Sequence, residues 1–159
     1  MKISYRPADE AYAREFLQWQ YEAPYDIYNF PPAQLEKYVQ YNIDPSNNVH
    51  AMFDQEDKLI GYCSYGLDAQ VPGGDYSEEA LDIGMMIKPE LTGQGQGSNY
   101  VSTVIQNSVS KYHPRRLRVT ILSTNLRAMK VWEKNGFQKT QTFESKKSQI
   151  EFSIFIKDV

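Results

Sequence analysis

Hydrophobic and polar residues alternate along this chain in two rhythms, and the switches between them divide it into elements. Residues 3–6 read as a short first strand. Pro7-Ala8-Asp9 then opens a helix expected to run to about residue 20, with Phe16, Leu17 and Trp19 as its apolar bulk. A second helix is expected over about 33–41, where Leu35, Tyr38 and Val39 share one side, and residues 42–48 form a polar turn region. Residues 49–53 and 59–67 follow as strands around Asp54-Gln55-Glu56-Asp57-Lys58, the pattern of a hairpin.

Residues 68–79, with Val71-Pro72-Gly73-Gly74-Asp75, are a loop that either covers a site or has no role in one. An apolar run over 81–87 predicts the next strand. Helical periodicity resumes at Val101, Val104, Ile105 and Val109, so a helix is expected over 97–112, broken at His113-Pro114. A strand over 117–122 leads into Ser123-Thr124-Asn125, three candidate caps for a helix over 126–134, which Asn135-Gly136 ends. Residues 137–143 and 149–156 close the chain as a hairpin. The order β-α-α-β-β-β-α-β-α-β-β mixes hairpins with crossovers, which gives an α/β domain with a mixed sheet and excludes pure parallel winding.

Between the strand over 81–87 and the helix over 97–112 lies Lys88-Pro89-Glu90-Leu91-Thr92-Gly93-Gln94-Gly95-Gln96-Gly97-Ser98. A loop this poor in side chains lets backbone N–H groups approach a ligand, and the helix that starts there adds the positive end of its dipole. The ligand so implied is anionic, a phosphate. Two familiar phosphate loops fail on spacing: the position five after Gly93 is Ser98 and no lysine follows it, and Gly-x-Gly-x-x-Gly is not completed from Gly93 or from Gly95. A glycine turn without a ligand stays open at this point.

Composition narrows the class. A chain of 159 residues is about one domain, and 41% hydrophobic with 23% charged residues is globular. A formal net charge of -3 lacks the basic footprint of a nucleic-acid binder, and the short cluster Arg115, Arg116, Arg118 is expected to flank a strand on a solvated face. No apolar run approaches the roughly 20 residues of a membrane span, and residues 1–4 lack a signal-peptide core, so no membrane partner and a cytoplasmic location are expected. One cysteine and two histidines give neither a disulfide framework nor a metal site of recognised spacing. Cys63 reads as a small buried hydrophobe and His113 as a solvated loop residue.

The stretch over 21–32 packs four aromatics and three prolines between two helices. It is either a loop anchored by its own rings or a wall of an acceptor pocket, in which Tyr25, Asp26 and Tyr28 orient a polar or cationic amine.

The element order and two motifs resemble the GNAT superfamily of N-acetyltransferases over nearly the whole chain. In the family pattern Arg/Gln-x-x-Gly-x-Gly/Ala, Gly95 and Gly97 match and Thr92 stands where Arg or Gln is usual. The stretch Asn125-Leu126-Arg127-Ala128-Met129-Lys130-Val131-Trp132-Glu133-Lys134-Asn135-Gly136-Phe137 is similar to the family's Asn-x-x-Ala-x-x-x-Tyr-Glu-Lys-x-Gly-Phe. The resemblance implies one GNAT-like domain over 1–159, with a mixed, mostly antiparallel sheet of about seven strands, about four helices and splayed central strands. It implies acetyl-CoA as cosubstrate and no metal. The cofactor would lie between the strands over 81–87, where the family usually has a bulge, and 117–122.

Carried over residue by residue, backbone groups of Met85, Met86 and Ile87 would pair with the pantetheine arm. The N–H groups of Thr92, Gly93, Gln94, Gly95, Gln96, Gly97 and Ser98 would hold the pyrophosphate. Asn125 would bond the pantetheine region or cap its helix, or do both, and Lys130 either faces the phosphates or is solvated. The helix dipole contributes about 0.3–1 kcal/mol and each charge-assisted hydrogen bond about 1.5–3 kcal/mol, so backbone donors suffice without a side chain at Thr92.

Transfer to an amine also needs a proton removed from an ammonium of pKa near 10.4. Relatives place an acid where Asp82 sits, as the candidate catalytic base; the rival reading is a solvated strand-start carboxylate. The position of the family's usual tyrosine acid is Trp132, which cannot donate a proton at neutral pH but can pack against the cofactor. The expected activity is therefore acetyl-CoA-dependent N-acetyl transfer to a primary amine of a small molecule or peptide. The alternative is a non-catalytic acyl-CoA-binding or sensing module. The acceptor's identity and the oligomeric state stay open, with a homodimer suggested only by the family.

Overall fold

The computed structural model describes residues 1–159, with seven strands and four α-helices in the expected order. The strands are β1 (Ser4–Pro7), β2 (Val49–Phe53), β3 (Leu59–Tyr65), β4 (Leu81–Ile87), β5 (Arg116–Leu122), β6 (Gln138–Glu144) and β7 (Glu151–Asp158). The helices are α1 (Glu10–Leu17), α2 (Leu35–Ile43), α3 (Gly97–Tyr112) and α4 (Leu126–Lys134). The hydrogen-bonded strand order is β1-β2-β3-β4-β5-β7-β6, a mixed sheet in which β4 and β5 run parallel. No helix is long and apolar enough to cross a membrane.

The chain forms two compact units. The first comprises Met1–Ser64 and Met85–Gln94, the second Tyr65–Gly84 and Gly95–Val159, so β3 and β4 each supply residues to both.

In the first unit, β2 pairs antiparallel with β1 and with β3, and all five residues of β2 are buried. Asp9 caps α1 by accepting the Tyr12 N–H at 2.9 Å, so the helix starts at Glu10, three residues after Pro7, which closes β1. Leu17 is its last helical residue, since the N–H groups of Gln18 and Trp19 turn back to Glu15 and Phe16. The buried face of α1, Ala13, Phe16 and Leu17, joins Val39 of α2 and Val49, Ala51 and Phe53 of β2 in one core. Phe16 also stacks on Tyr62 of β3 at 4.1 Å between ring centroids. On the solvent side Arg14 links the helices through Glu10 of α1 and Glu36 of α2.

In the second unit, β5 pairs antiparallel with β7 along its full length, and β7 with β6. The β4–β5 ladder has two rungs, Leu81 to Leu117 and Asp82 to Arg118. Helix α3 buries Tyr100, Val101, Val104 and Ser108 and ends on His113, an exposed left-handed residue. The loop over 68–79 is fastened to the last hairpin: the Lys146 N–H donates to the Pro72 carbonyl at 2.9 Å, and a Cβ on Gly73 would lie 2.7 Å from the Glu144 carbonyl. Cys63, at the boundary end of β3, is fully buried.

Backbone hydrogen bonds fix which way the polar groups of β4 point. The Gly66 N–H donates to the Asp82 carbonyl and the Lys88 N–H to the Ile60 carbonyl, six residues apart on each strand. Because a trans peptide holds C=O and N–H on opposite sides, the Lys88 N–H aimed at β3 turns the Ile87 carbonyl to the other edge of β4.

A Cβ at Gly61 would lie 2.6 Å from the Met86 carbonyl oxygen and 3.0 Å from Ile87 Cδ1. Gly61→Ala is expected to destabilise the protein by about 1–3 kcal/mol, the cost of overpacking against backbone. Urea denaturation would show this as a lower midpoint with an unchanged slope.

Candidate active site

The start of α3 leaves backbone donors open. Asn99 and Tyr100 return their N–H groups to the Gln96 carbonyl at 3.0 and 3.1 Å, whereas the N–H groups of Gly97 and Ser98 precede any intrahelical acceptor. Gly95 has φ +78°, and a Cβ there would meet nothing within 4 Å, so the backbone is open to an approaching group. Helices α1 and α2 carry Glu10 and Glu36 in their first turns, but α3 has no acidic residue in its own.

Helix α4 stands against this start. A Cβ on Gly97 would approach Val131 Cγ2 at 3.1 Å, and Asn135 Nδ2 donates to Ser98 Oγ at 3.1 Å. Asn125 caps α4 by accepting the Ala128 N–H at 3.1 Å, which establishes its capping role. Lys130 is exposed. Trp132 is 6% exposed and packs edge-on to Phe137 at 4.9 Å, a core position for the residue that replaces the expected tyrosine. Gln96 Oε1 accepts from the Asn99 side chain at 2.7 Å.

In the first unit, Thr92 and Gln94 fold back on their own turn. The Thr92 hydroxyl donates to the Pro89 carbonyl at 2.7 Å and the Gln94 amide to the Glu90 carbonyl at 2.6 Å. Gly93 supplies the left-handed turn between them, with φ +71°. Met85, Met86 and Ile87 are half-buried at the end of β4, and the Tyr21 hydroxyl donates to the Ile87 carbonyl at 2.7 Å. The acceptor-loop candidates fall on a short 3-10 turn, Asp26–Tyr28, with Asp26 exposed and Tyr25 and Tyr28 half-buried.

Asp82 is 2% exposed, which excludes the solvated strand-start reading. Arg118 Nε and Nη2 donate to its two oxygens at 2.7 and 2.8 Å, and Gln70 Nε2 donates to Oδ2 at 2.9 Å. Arg118 is 4% exposed, which corrects its expected place on a solvated face. Its remaining Nη1 donates to the Glu78 carbonyl at 2.9 Å, and its guanidinium lies 4.9 Å from the Tyr76 ring centroid. The hydrogen bonds with Asp82 hold the Arg118 pKa above its usual value. The Tyr76 hydroxyl accepts the Val71 N–H at 2.9 Å and shares a 2.8 Å bond with Thr120 Oγ1, which joins the loop over 68–79 to β5. Both Asp82 oxygens are thus engaged before any substrate arrives.

Sequence reasoning missed Tyr21, Gln70, Tyr76 and Arg118. For Arg118 a signal was present: an arginine flanked by Leu117 and Val119 inside an apolar strand must find a buried anion. The other three depend on loop paths that carry no periodicity.

Fold and site together define the class: the chain belongs to the GNAT acetyltransferase family, since residues 3–138 match the model of the acetyltransferase (GNAT) domain. Its fold is that of a spermidine N-acetyltransferase SpeG chimera that includes Vibrio cholerae sequence, at TM-score 0.73 and 15% identity, covering 99% of this chain and 96% of that one. It is similar to the aminoglycoside acetyltransferase AAC(6')-Ib in complex with coenzyme A, at TM-score 0.76 and 16% identity, with 99% and 95% covered. The same acetyltransferase with paromomycin and acetyl-CoA matches at TM-score 0.76 and 16% identity, with 99% and 94% covered. At these identities the likeness establishes the fold. Comparison with curated protein sequences finds no match.

Asp82→Asn leaves Arg118 buried without its counter-charge and is expected to cost about 3–5 kcal/mol in stability. Replacing both residues with apolar side chains of similar volume is expected to recover much of that loss, which thermal or urea denaturation of the single and double variants would measure.

Proposed function

We propose that this protein is an N-acetyltransferase that passes an acetyl group from acetyl-CoA directly to a primary amine of a small molecule or peptide, with residues 1–159 acting as one GNAT domain. The observation that carries this reading is the start of α3, where the open Gly95 backbone, the N–H groups of Gly97 and Ser98 and the absence of a first-turn acid suit a pyrophosphate. The solved relatives add support, since the aminoglycoside acetyltransferase is described with coenzyme A and with acetyl-CoA, and SpeG as a spermidine N-acetyltransferase.

Acetyl-CoA supplies, when bound, an acetyl group activated as a thioester. The chain's own contribution is positioning and polarity. Backbone N–H groups over 93–98 hold the pyrophosphate, while the outer edge of β4, where Met85 and Ile87 and not Met86 turn their polar groups, pairs with the pantetheine arm. In an extended strand one residue's N–H and C=O point the same way, so Ile87 rather than Met86 offers its N–H on the edge away from β3. That N–H is the donor for charge developing on the acyl oxygen. The turn carrying Tyr25, Asp26 and Tyr28 receives the amine, with exposed Asp26 favouring a cation.

Asp82 is assigned here as a positioning residue, because Arg118 and Gln70 occupy its oxygens. The amine's proton passes to solvent. The departing thiolate, whose conjugate pKa is about 8.5, leaves without an acid at Trp132. A second reading, a non-catalytic acyl-CoA-binding module, draws on the same buried Trp132.

Purified protein incubated with acetyl-CoA and a panel of polyamines, aminoglycosides, amino acids and peptides is expected to release one free thiol per acetylated amine. Cofactor binding with no thiol release across the panel would favour the second reading. With solvent as the base, kcat/KM for an alkylamine is expected to rise about tenfold per pH unit between pH 7 and 9, as the neutral fraction of a group of pKa near 10.4 grows. A plateau below about pH 8 would reveal a side-chain base in the range typical of catalytic groups.

A further inference from the structure

We propose that Tyr21 is a positioning residue that fastens the amine-recognition turn to the cofactor strand, so that its hydroxyl sets the affinity for the amine; this rests on the transferase reading. The stretch over 21–29 is closed at its base by one side chain. Asn29 Oδ1 accepts the Tyr21 N–H at 2.8 Å, and Asn29 Nδ2 donates to the Tyr21 carbonyl at 3.2 Å. Between these ends the chain makes three successive turns: the Tyr25 N–H to the Glu22 carbonyl, the Tyr28 N–H to the Tyr25 carbonyl and the Asn29 N–H to the Asp26 carbonyl. The result is a self-bonded loop that presents Tyr25, Asp26 and Tyr28.

At its foot this loop bonds to β4 through Tyr21. The ring of Tyr21 is 8% exposed and belongs to the core formed with Phe16, Trp19 and Val49, against which Met86 packs. From there its hydroxyl reaches the Ile87 carbonyl at 2.7 Å, on the edge of β4 that faces away from β3. A carbonyl has two lone pairs, so this bond leaves the Ile87 oxygen able to accept again. The amine-facing loop and the cofactor-facing edge thus share one backbone atom as their reference point.

The physical consequence is an ordering cost. A loop held by Tyr21 is already in one conformation when the amine arrives, whereas a loop without that bond samples others and the amine must select the competent one. Tyr21 bonds the Ile87 carbonyl, whereas the cofactor's donors are the N–H groups at the start of α3 and of Ile87. Loss of the Tyr21 hydroxyl should therefore weaken the amine and spare the cofactor.

Tyr21→Phe keeps the buried ring and removes only the oxygen. In steady-state kinetics with an amine the wild type accepts, the variant is expected to raise the amine KM about three- to tenfold, the range of one hydrogen bond, with the acetyl-CoA KM within about twofold of wild type. Amide hydrogen exchange at Tyr25, Tyr28 and Asn29 is expected to quicken. Asn29→Ala, which opens the base of the loop without touching the hydroxyl, should reproduce the same split and serves if Tyr21→Phe does not fold. An unchanged amine KM in both variants, or an equal rise in both KM values, would overturn the assignment. Wild-type protein that transfers acetyl to no amine would instead overturn the transferase reading, so the two failures are distinguishable.

Discussion

Asp82 and Arg118 face each other across the two rungs that join β4 to β5 as parallel neighbours, and both are removed from water. Burying either alone would cost several kcal/mol, so each is tolerated only with the other in place. The planar fork of the guanidinium fits the carboxylate with two bonds, which fixes the relative height of the strands as well as their proximity. Arg118 then directs its remaining donor to the Glu78 carbonyl, and Asp82 a second acceptor site to Gln70, so the loop before β4 is drawn onto the same pair. One ion pair therefore sets strand register, loop path and the place where β4 begins.

The two units use different physics. The second relies on backbone geometry: a glycine in a left-handed turn, a helix start with open donors, and α4 packed against it. Its side chains mostly hold the backbone in place rather than reach outward, as Asn125 capping α4 and Asn135 bonding Ser98 illustrate. The first relies on aromatic packing, with Phe16 stacked on Tyr62 and Tyr21 rooted in the core beneath the loop it supports.

Much of this is legible in the chain because it rests on local signals. The strands over 49–53 and 81–87 and the helices over 97–112 and 126–134 match the structure at both ends, since apolar runs, a glycine start and an Asn cap mark them directly. The family motif around Gly95 and Gly97 points to the start of α3, where the structure leaves backbone donors open. The illegible part depends on contacts far apart in sequence. Arg118 finds Asp82 across 36 residues and Tyr21 finds Ile87 across 66, and neither pairing leaves a periodic trace. From sequence Asp82 reads as either a base or a solvated strand start, because its neighbours Glu78 and Glu79 are exposed while it alone turns inward.

Gly97 answers to two masters. Its N–H belongs to the open start of α3, and its missing Cβ is what lets Val131 come within van der Waals reach from α4. A residue tuned for phosphate approach and a residue tuned for helix packing would ordinarily be different positions, free to vary separately. Here they coincide, so any drift that relaxes the packing also reshapes the open helix start. The spacing of the two helices and the shape of that start must evolve as a single trait.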